Sequence, residues 1–369
     1  MTFSRRKMLS LIGGGAVLAV AVPSAAYLLT RTPTEALKPW DLAGQYEDPR
    51  LFALSYALLA PSPHNRQPWE AELLGENTVA IHRDKSRRLP VTDPLDRQLT
   101  IGMGCFLELL DMAAAQKEFE VQTEYFPKGE EGPVAMCHFT SGKAQPNPLF
   151  EHVLQRRSHK DLFDPTPVTA DAVSSLSEHA DLYLEGQDRD ILRRIAHEAW
   201  LAEVNTPNAW KESIDLLRIG KAEINANPDG IDIGGPLMET LSLFGLLKKE
   251  DSLDISSPNA RAPIEATTKA INSAQALTLT RTRGNSRTDQ IDAGRRWLRL
   301  NLAATGAGLA LRPVSQALQE YSEVKKQYDE IHNKFADDGE TLQMLGLLGY
   351  GTRTAHTPRW ALEKRLRHV

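Results

Sequence analysis

Two short stretches hold side chains whose types and spacing could do chemistry. Arg156-Arg157-Ser158-His159-Lys160 puts four potential cations and a hydroxyl into five residues, just before Phe163-Asp164-Pro165-Thr166-Pro167-Val168. Guanidinium forks at that density can clamp a phosphate, and a lysine beside them can face a polarised ring. The plain alternative is a solvated basic turn at a helix end. The second stretch is Ala60-Pro61-Ser62-Pro63-His64-Asn65-Arg66-Gln67-Pro68-Trp69, where two prolines stop an apolar helix. The irregular loop that follows offers Ser62, Asn65 and Gln67 as hydrogen-bonding groups around a planar polar heterocycle. Read alone, it is equally a turn into a strand with Trp69 buried.

Other chemistries are missing from the sequence. No H-E-x-x-H, C-x-x-C, G-x-S-x-G or Walker-type loop occurs, and Gly102-Met103-Gly104 lacks the third glycine of a dinucleotide fingerprint. The ten histidines are scattered, and His152 and His159 lack a metal-ligand spacing. With only Cys105 and Cys137, a disulfide framework and a multi-cysteine zinc site are both excluded. Cys105 lies in an apolar helical run, where a buried free thiol is expected. A net charge of −5 and a pI near 6.1 argue against a basic nucleic-acid binder. The 369 residues, 41% hydrophobic and 25% charged, suit a soluble globular chain of about two domains.

The first thirty residues read as a targeting segment and are set aside from the fold. Ser4-Arg5-Arg6-Lys7-Met8-Leu9 precedes an apolar stretch from Met8 to Leu29, with small residues at Ser24-Ala25-Ala26. The paired arginines in that setting look like a twin-arginine export signal. A membrane helix behind a chance Arg-Arg pair is the alternative, and both cleavage near Ala26 and retention as an anchor are open. Export through the twin-arginine machinery would place the chain in the periplasm or on the outer face of the inner membrane. That machinery carries proteins already folded, often around a cofactor.

The remainder reads as helices alternating with short strands, an α+β pattern. An apolar helix ends at Ala60, strands follow at 70–74 and 79–82, and a long apolar helix runs from Arg97 to Ala115. Further strands are expected at 121–126, 134–139 and 342–350, and further helices at 149–155, 170–179, 188–202, 209–219, 238–249 and 290–311. The stretch 252–263 reads as a loop, and the Gly/Pro/Asn-rich run 141–148 is the best internal boundary. Phe106 to Ala115 can be laid over Trp297 to Gly306, with the aromatic, Leu and Ala positions coinciding. That is either a duplication or two buried helices converging on one pattern.

Taken together and in this order, the two stretches resemble the nitroreductase-like FMN-binding superfamily, and more closely its exported, Acg-like branch with two halves in one chain. That branch has an A-P-S-P-H-N-x-Q-P-W segment, matched from Ala60 to Trp69 with Arg66 in the variable place. It then has R-R-[ST]-x-[RK] followed by F-x-P-x-P-V, matched from Arg156 to Lys160 and from Phe163 to Val168. Gly308-Leu309 to Pro313, Gly349-Tyr350-Gly351 and Pro358-Arg359 match its later segments.

The resemblance implies a nitroreductase-like α+β fold in which the halves 38–145 and 146–369 follow a leader at 1–37 and form a monomeric intramolecular pseudo-dimer with one FMN site. Arg156 and Arg359, with Arg157 beside them, would hold the FMN phosphate; Ser158 would bond phosphate or ribityl oxygens; and Lys160 would lie near the N1/O2 edge of the flavin. Pro61, Ser62, Pro63 and Asn65 would line the ring from the other half, with Gln67 as a further partner. Pro313, Val314 and Ser315 match the loop that approaches N5, although Ser315 and Gln316 replace its usual acidic and glycine residues. The implied activity is electron transfer to a small electron-poor acceptor, with NAD(P)H as a donor; sequestration of FMN without turnover is the alternative. Residues 225–263 are too long for a connection, and their amphipathic helix is either a lid over the flavin or outer packing.

Overall fold

The computed structural model describes residues 31–142 and 144–367; the expected export segment lies outside them. The longest apolar run builds the centre. In α3 (Arg97–Ala115), 18 of 19 residues are buried, so this helix is buried on every face rather than on one stripe. Asp93 caps its start, the carboxylate accepting from the backbone N–H groups of Gln98 (3.0 Å) and Leu99 (2.9 Å). Before it come α1 (Thr34–Leu42), α2 (Pro49–Ala57), β1 (Trp69–Leu74) and β2 (Thr78–Arg83), and after it β3 (Phe119–Tyr125) and β4 (Ala135–Ser141).

The same plan then recurs. Strand β5 (Asp181–Tyr183) precedes a long insertion containing α4 (Gly186–Asn205), α5 (Pro207–Asp215), β6 (Leu217–Ile219), α6 (Gly220–Ala226), β7 (Ile231–Ile233), α7 (Pro236–Leu243) and α8 (Pro258–Ser273). After it come β8 (Ala276–Arg283), α9 (Arg287–Gly306), β9 (Ala310–Pro313), α10 (Lys325–Phe335) and β10 (Glu340–Gly349). One four-stranded sheet runs β1-β2-β4-β3 and the other β5-β8-β10-β9, with every neighbouring pair antiparallel. In both, the long helix sits between the second and third strands of the unit in chain order. Matching strand order, and not only a shared helix pattern, decides for two half-repeats.

The repeats meet along α3 and α9. An added Cβ at Gly104 would lie 2.1 Å from the Ile291 carbonyl oxygen, and one at Gly294 2.0 Å from that of Ile101. Glycine is therefore required at both positions for the backbones to touch. This reciprocal contact pairs Ile101 and Gly104 with Ile291 and Gly294, one residue out of step with the Phe106–Trp297 alignment. Cys105 Sγ adds a bond to the Gly294 carbonyl (3.1 Å), and both cysteines are buried and free. At the far end Arg295 joins Glu108 (2.9 Å) and Asp111 (2.6 Å).

The halves also exchange chain. Arg359 N donates to the Ala36 carbonyl (2.8 Å), Trp40 Nε1 to that of Thr357 (2.8 Å), and Trp40 stacks on His356. Residues 365–367 pair with the edge of β1, Ala71 N bonding Arg365 O and Arg367 N bonding Ala71 O.

Several expectations shift. The stretches 149–155 and 170–179 are short 3₁₀ turns, Pro148–His152 and Asp171–Leu176. A helix capped by Ser257 and running over 258–273 begins inside the stretch 252–263 where a loop was expected. The helix expected to run to 311 stops at Gly306, because Gly308 takes a left-handed φ of +71° and the chain re-enters the sheet as β9.

Gly294→Ala is expected to drive the two backbones apart and lower unfolding stability by about 3 kcal/mol, as overpacked core sites do. Urea unfolding followed by circular dichroism measures it, and a loss within error of zero would rule out the close crossing.

Candidate functional site

Where the two repeats meet, beside α3, lies a cavity of about 210 Å³. Pro61, Ser62 and Pro63 form one side, and Ser158, Pro313 and Ser315 another. Six of the residues singled out in the sequence thus converge from three separate parts of the chain. Gly102, Cys105 and Trp297 form the floor, from α3 and α9.

The proline loop is held in a strained shape. His64, Asn65 and Gln67 all have positive φ, at 46°, 52° and 48°. Each left-handed non-glycine residue costs on the order of 1 kcal/mol, so neighbouring bonds must over-determine the loop. Ser62 Oγ accepts from Gln67 N (2.9 Å). Gln67, fully buried, donates to the Pro228 carbonyl (2.7 Å) and accepts from Trp360 N (3.0 Å). Arg66 reaches Asp229 (3.0 Å), which also binds Arg87 (2.6 Å) and Arg218 (2.9 Å).

Beside this loop two arginines are buried without a carboxylate. Arg156 Nη2 donates to the Leu59 carbonyl (3.0 Å), and Arg359 Nη2 donates to the same oxygen (3.1 Å) and to that of Ala60 (3.0 Å). Arg359 Nη1 also holds Asn65 Oδ1 (2.8 Å). Among the described residues neither has an acidic partner within 4 Å, and Arg156 Nη1 and Arg359 Nε are buried with no hydrogen-bond partner. Burial, with the Arg156 charge nearby, pushes Arg359 down to about 9, and burial, with the Arg157 charge nearby, takes Arg156 to about 10. Two adjacent buried cations with unspent N–H groups are an arrangement that an anion would stabilise. Arg157, half-buried, bonds the carbonyls of Thr354 (3.2 Å) and Leu154 (2.9 Å).

The other expected site residues sit outside this cavity's lining. Lys160 is exposed, binds Asp232 (2.7 Å) and lines a different cavity with Asp161, residues 232–236 and Met238. The insertion supplies the counter-charge that draws it away from the central cavity. Asn65 and Gln67 turn their amides to Arg359, Pro358, Pro228 and Trp360, so they brace the loop and do not line the cavity. Val314 is buried in the second core cluster while its neighbours Pro313 and Ser315 face the cavity. Arg156 and Arg359 stand behind the loop, and neither lines the cavity.

Residues not singled out in the sequence also line it: His64, Gln98, Gln316, Gln319 and Met344. Burial pushes His64 below its ordinary value, which keeps it neutral near pH 7. Behind Gln316 and Gln319 sits Glu203, buried in α4 and pushed up to about 7 by desolvation. A signal for it existed. Ile195, Ala199, Trp200 and Glu203 share one helical face, so an acid falls on the buried stripe.

No family model matches the chain. Over 75 residues, 20% of this chain and 22% of the relative, it is 37% identical to a Mycobacterium tuberculosis protein named "Putative NAD(P)H nitroreductase acg". An uncharacterized protein of the same organism is 31% identical over 124 residues, 30% of this chain and 35% of that one. The chain thus spans about a fifth to a third of the length of these curated relatives. Among solved structures it is similar to the FMN-dependent nitroreductase NfnB from Mycobacterium smegmatis in complex with NADPH. That likeness has a TM-score of 0.37 at 19% identity and covers 60% of this chain and 98% of that one, too low a score to carry the architecture.

Gln67→Leu is expected to leave the Pro228 carbonyl and Trp360 N–H unpaired and to lower stability by about 3 kcal/mol. Denaturant titration tests this; a neutral result would mean the loop is braced elsewhere.

Proposed function

We propose that the chain is a nitroreductase-like oxidoreductase that binds FMN at the seam of an intramolecular pseudo-dimer. The carrying observation is the pair of buried, carboxylate-free arginines with unspent N–H groups, set behind a strained proline loop at the cavity's edge. The donor set fits the cofactor: Arg156 and Arg359 would hold the phosphate, Ser158 a phosphate or ribityl oxygen, and Pro61, Ser62, Pro63 and Ser315 the ring. When bound, FMN would supply two-electron chemistry that no side chain lining the cavity can provide. This chain's residues would position the ring and a small electron-poor acceptor against it. The buried floor of Cys105 and Trp297, each about 1–2% exposed, would exclude water.

A second reading, retention of FMN without turnover, is favoured by the insertion. Its residues Pro228 and Asp229 bond Gln67 and Arg66, so the stretch after α6 is fastened to the cavity's edge, as a closed cover would be. The visible spectrum of the purified chain separates the readings. Flavin absorbance that bleaches within seconds of adding NADPH supports the reductase. Absorbance that bleaches only with dithionite supports retention or another donor, and a chain that cannot be loaded with FMN sinks both. Arg156→Ala should reduce FMN retention at least tenfold; full occupancy in the purified variant would remove Arg156 from the phosphate site.

Export is part of the same proposal, with the mature chain in the periplasm or on the outer face of the inner membrane, cleaved or anchored by its apolar segment. Replacing Arg5 and Arg6 together by lysine should leave the protein in the cytoplasmic fraction. Undiminished export would exclude the twin-arginine machinery.

A further inference from the structure

Half of the large apolar side chains left exposed among the described residues fall between 237 and 255, in the insertion. Three of them belong to α7 and its last turn: Leu237 is 64% exposed, Leu243 81% and Phe244 60%. Leu237 and Phe244 stand two helical turns apart, on one stripe with Leu241. No residue of α7 is buried and none lines the central cavity, so packing inside the fold does not account for these side chains. A soluble surface seldom gathers apolar groups in this way without something to cover them.

The helix is tied to the place where the expected export segment ends. Arg31 Nη1 donates to Glu239 of α7 (3.1 Å). Arg31 also lines two grooves beside the helix, one with Ser242 and Leu243 and the other with Pro236 and Met238. The apolar stretch that starts at Met8 ends at Leu29, two residues before Arg31, and two residues of chain reach at most about 7 Å. A stretch of that length can cross a hydrocarbon core. Wherever it enters a bilayer, α7 is held at the surface it enters. The acids on that side are already neutralised, Glu239 by Arg31 and Glu223, the one acid of α6, by Lys249.

We propose that Leu237, Leu241, Leu243 and Phe244 rest in the headgroup layer of a phospholipid membrane, as the apolar face of an interfacial helix does. This rests on the reading that the apolar segment is retained as an anchor. A single tether at Arg31 would let the body swing about it. A second attachment through α7 fixes which side of the molecule faces the lipid.

The full chain in vesicles of phosphatidylcholine and phosphatidylglycerol tests this, with a polarity-sensitive fluorophore on Phe244→Cys. The native thiols do not compete for the label, because burial pushes Cys105 and Cys137 up to about 12. A lipid carrying a nitroxide near its headgroup should lower the emission about twofold. A probe on Leu95→Cys, at an exposed position in the first half, should keep its emission. Leu237→Glu together with Leu243→Glu, both at exposed positions, should bring the Phe244→Cys signal to that control level while circular dichroism stays unchanged. No quenching at 244, equal quenching at 95, or undiminished quenching in the double glutamate variant would overturn the proposal. So would blue-shifted emission that the nitroxide leaves untouched, because a second copy or the apolar segment itself would then cover the face. An alkaline carbonate wash judges the anchor separately. A chain that washes off yet is quenched beforehand supports the lipid-facing helix and sinks the anchor; one that resists washing without quenching keeps the anchor and overturns the helix contact.

Discussion

The contact of two helix backbones at Gly104 and Gly294 sets the distance at which everything else is built. With no side chain between them, α3 and α9 bring both four-stranded sheets onto one continuous core. The residues that line the cavity come from these helices, from the loops beside them and from β9 and β10. Gly102 shows how tight the tolerance is: an added Cβ there would stand 3.3 Å from Ser62 Cβ and 3.4 Å from Pro63 Cδ. The proline loop is therefore seated directly on the helix. A cavity of this kind exists only because two repeats approach more closely than side chains would ordinarily permit.

Each half contributes what the other lacks. The first supplies the proline loop, and the second supplies the arginines behind it and the Pro313–Ser315 turn opposite. Electrostatics follow this division. The cations gather behind the loop, where Arg156 and Arg359 share the Leu59 carbonyl, while the cavity itself is lined by hydroxyls, amides and apolar surface. The buried cations and the uncharged cavity lining are thus set apart, an arrangement suited to a ligand with an anionic end and a flat, neutral body.

Much of this was legible in the sequence because it was local. The long apolar run of α3 shows its boundaries without help, since nothing interrupts its period from Arg97 to Ala115. The two motif stretches also announced themselves, and six of their and the later loop's residues do meet at one cavity. What stayed hidden depends on partners far away in the chain. Gln67 becomes a brace only because Pro228 and Trp360 come to it, and Lys160 is diverted only because Asp232 lies opposite. Strand β8 was missed because its Ala-Leu-Thr-Leu-Thr start runs straight into Arg-Thr-Arg, polar residues that burial in a central position does not announce. Glu203 was passed over because a single acid in a charged helix reads as solvent-facing until its stripe is traced.

The pairing of residues 365–367 with β1 has a bearing on how the chain reaches this shape. Strand β1 is an edge, and the free N–H and C=O of its Ala71 are satisfied by residues 365–367, nearly three hundred positions further along the chain. Helix α1 likewise waits for Thr357 and Arg359. The amino-terminal repeat is therefore completed by backbone drawn from the other half of the chain, and without residues 357–367 it would keep an open sheet edge of the kind that pairs with other chains.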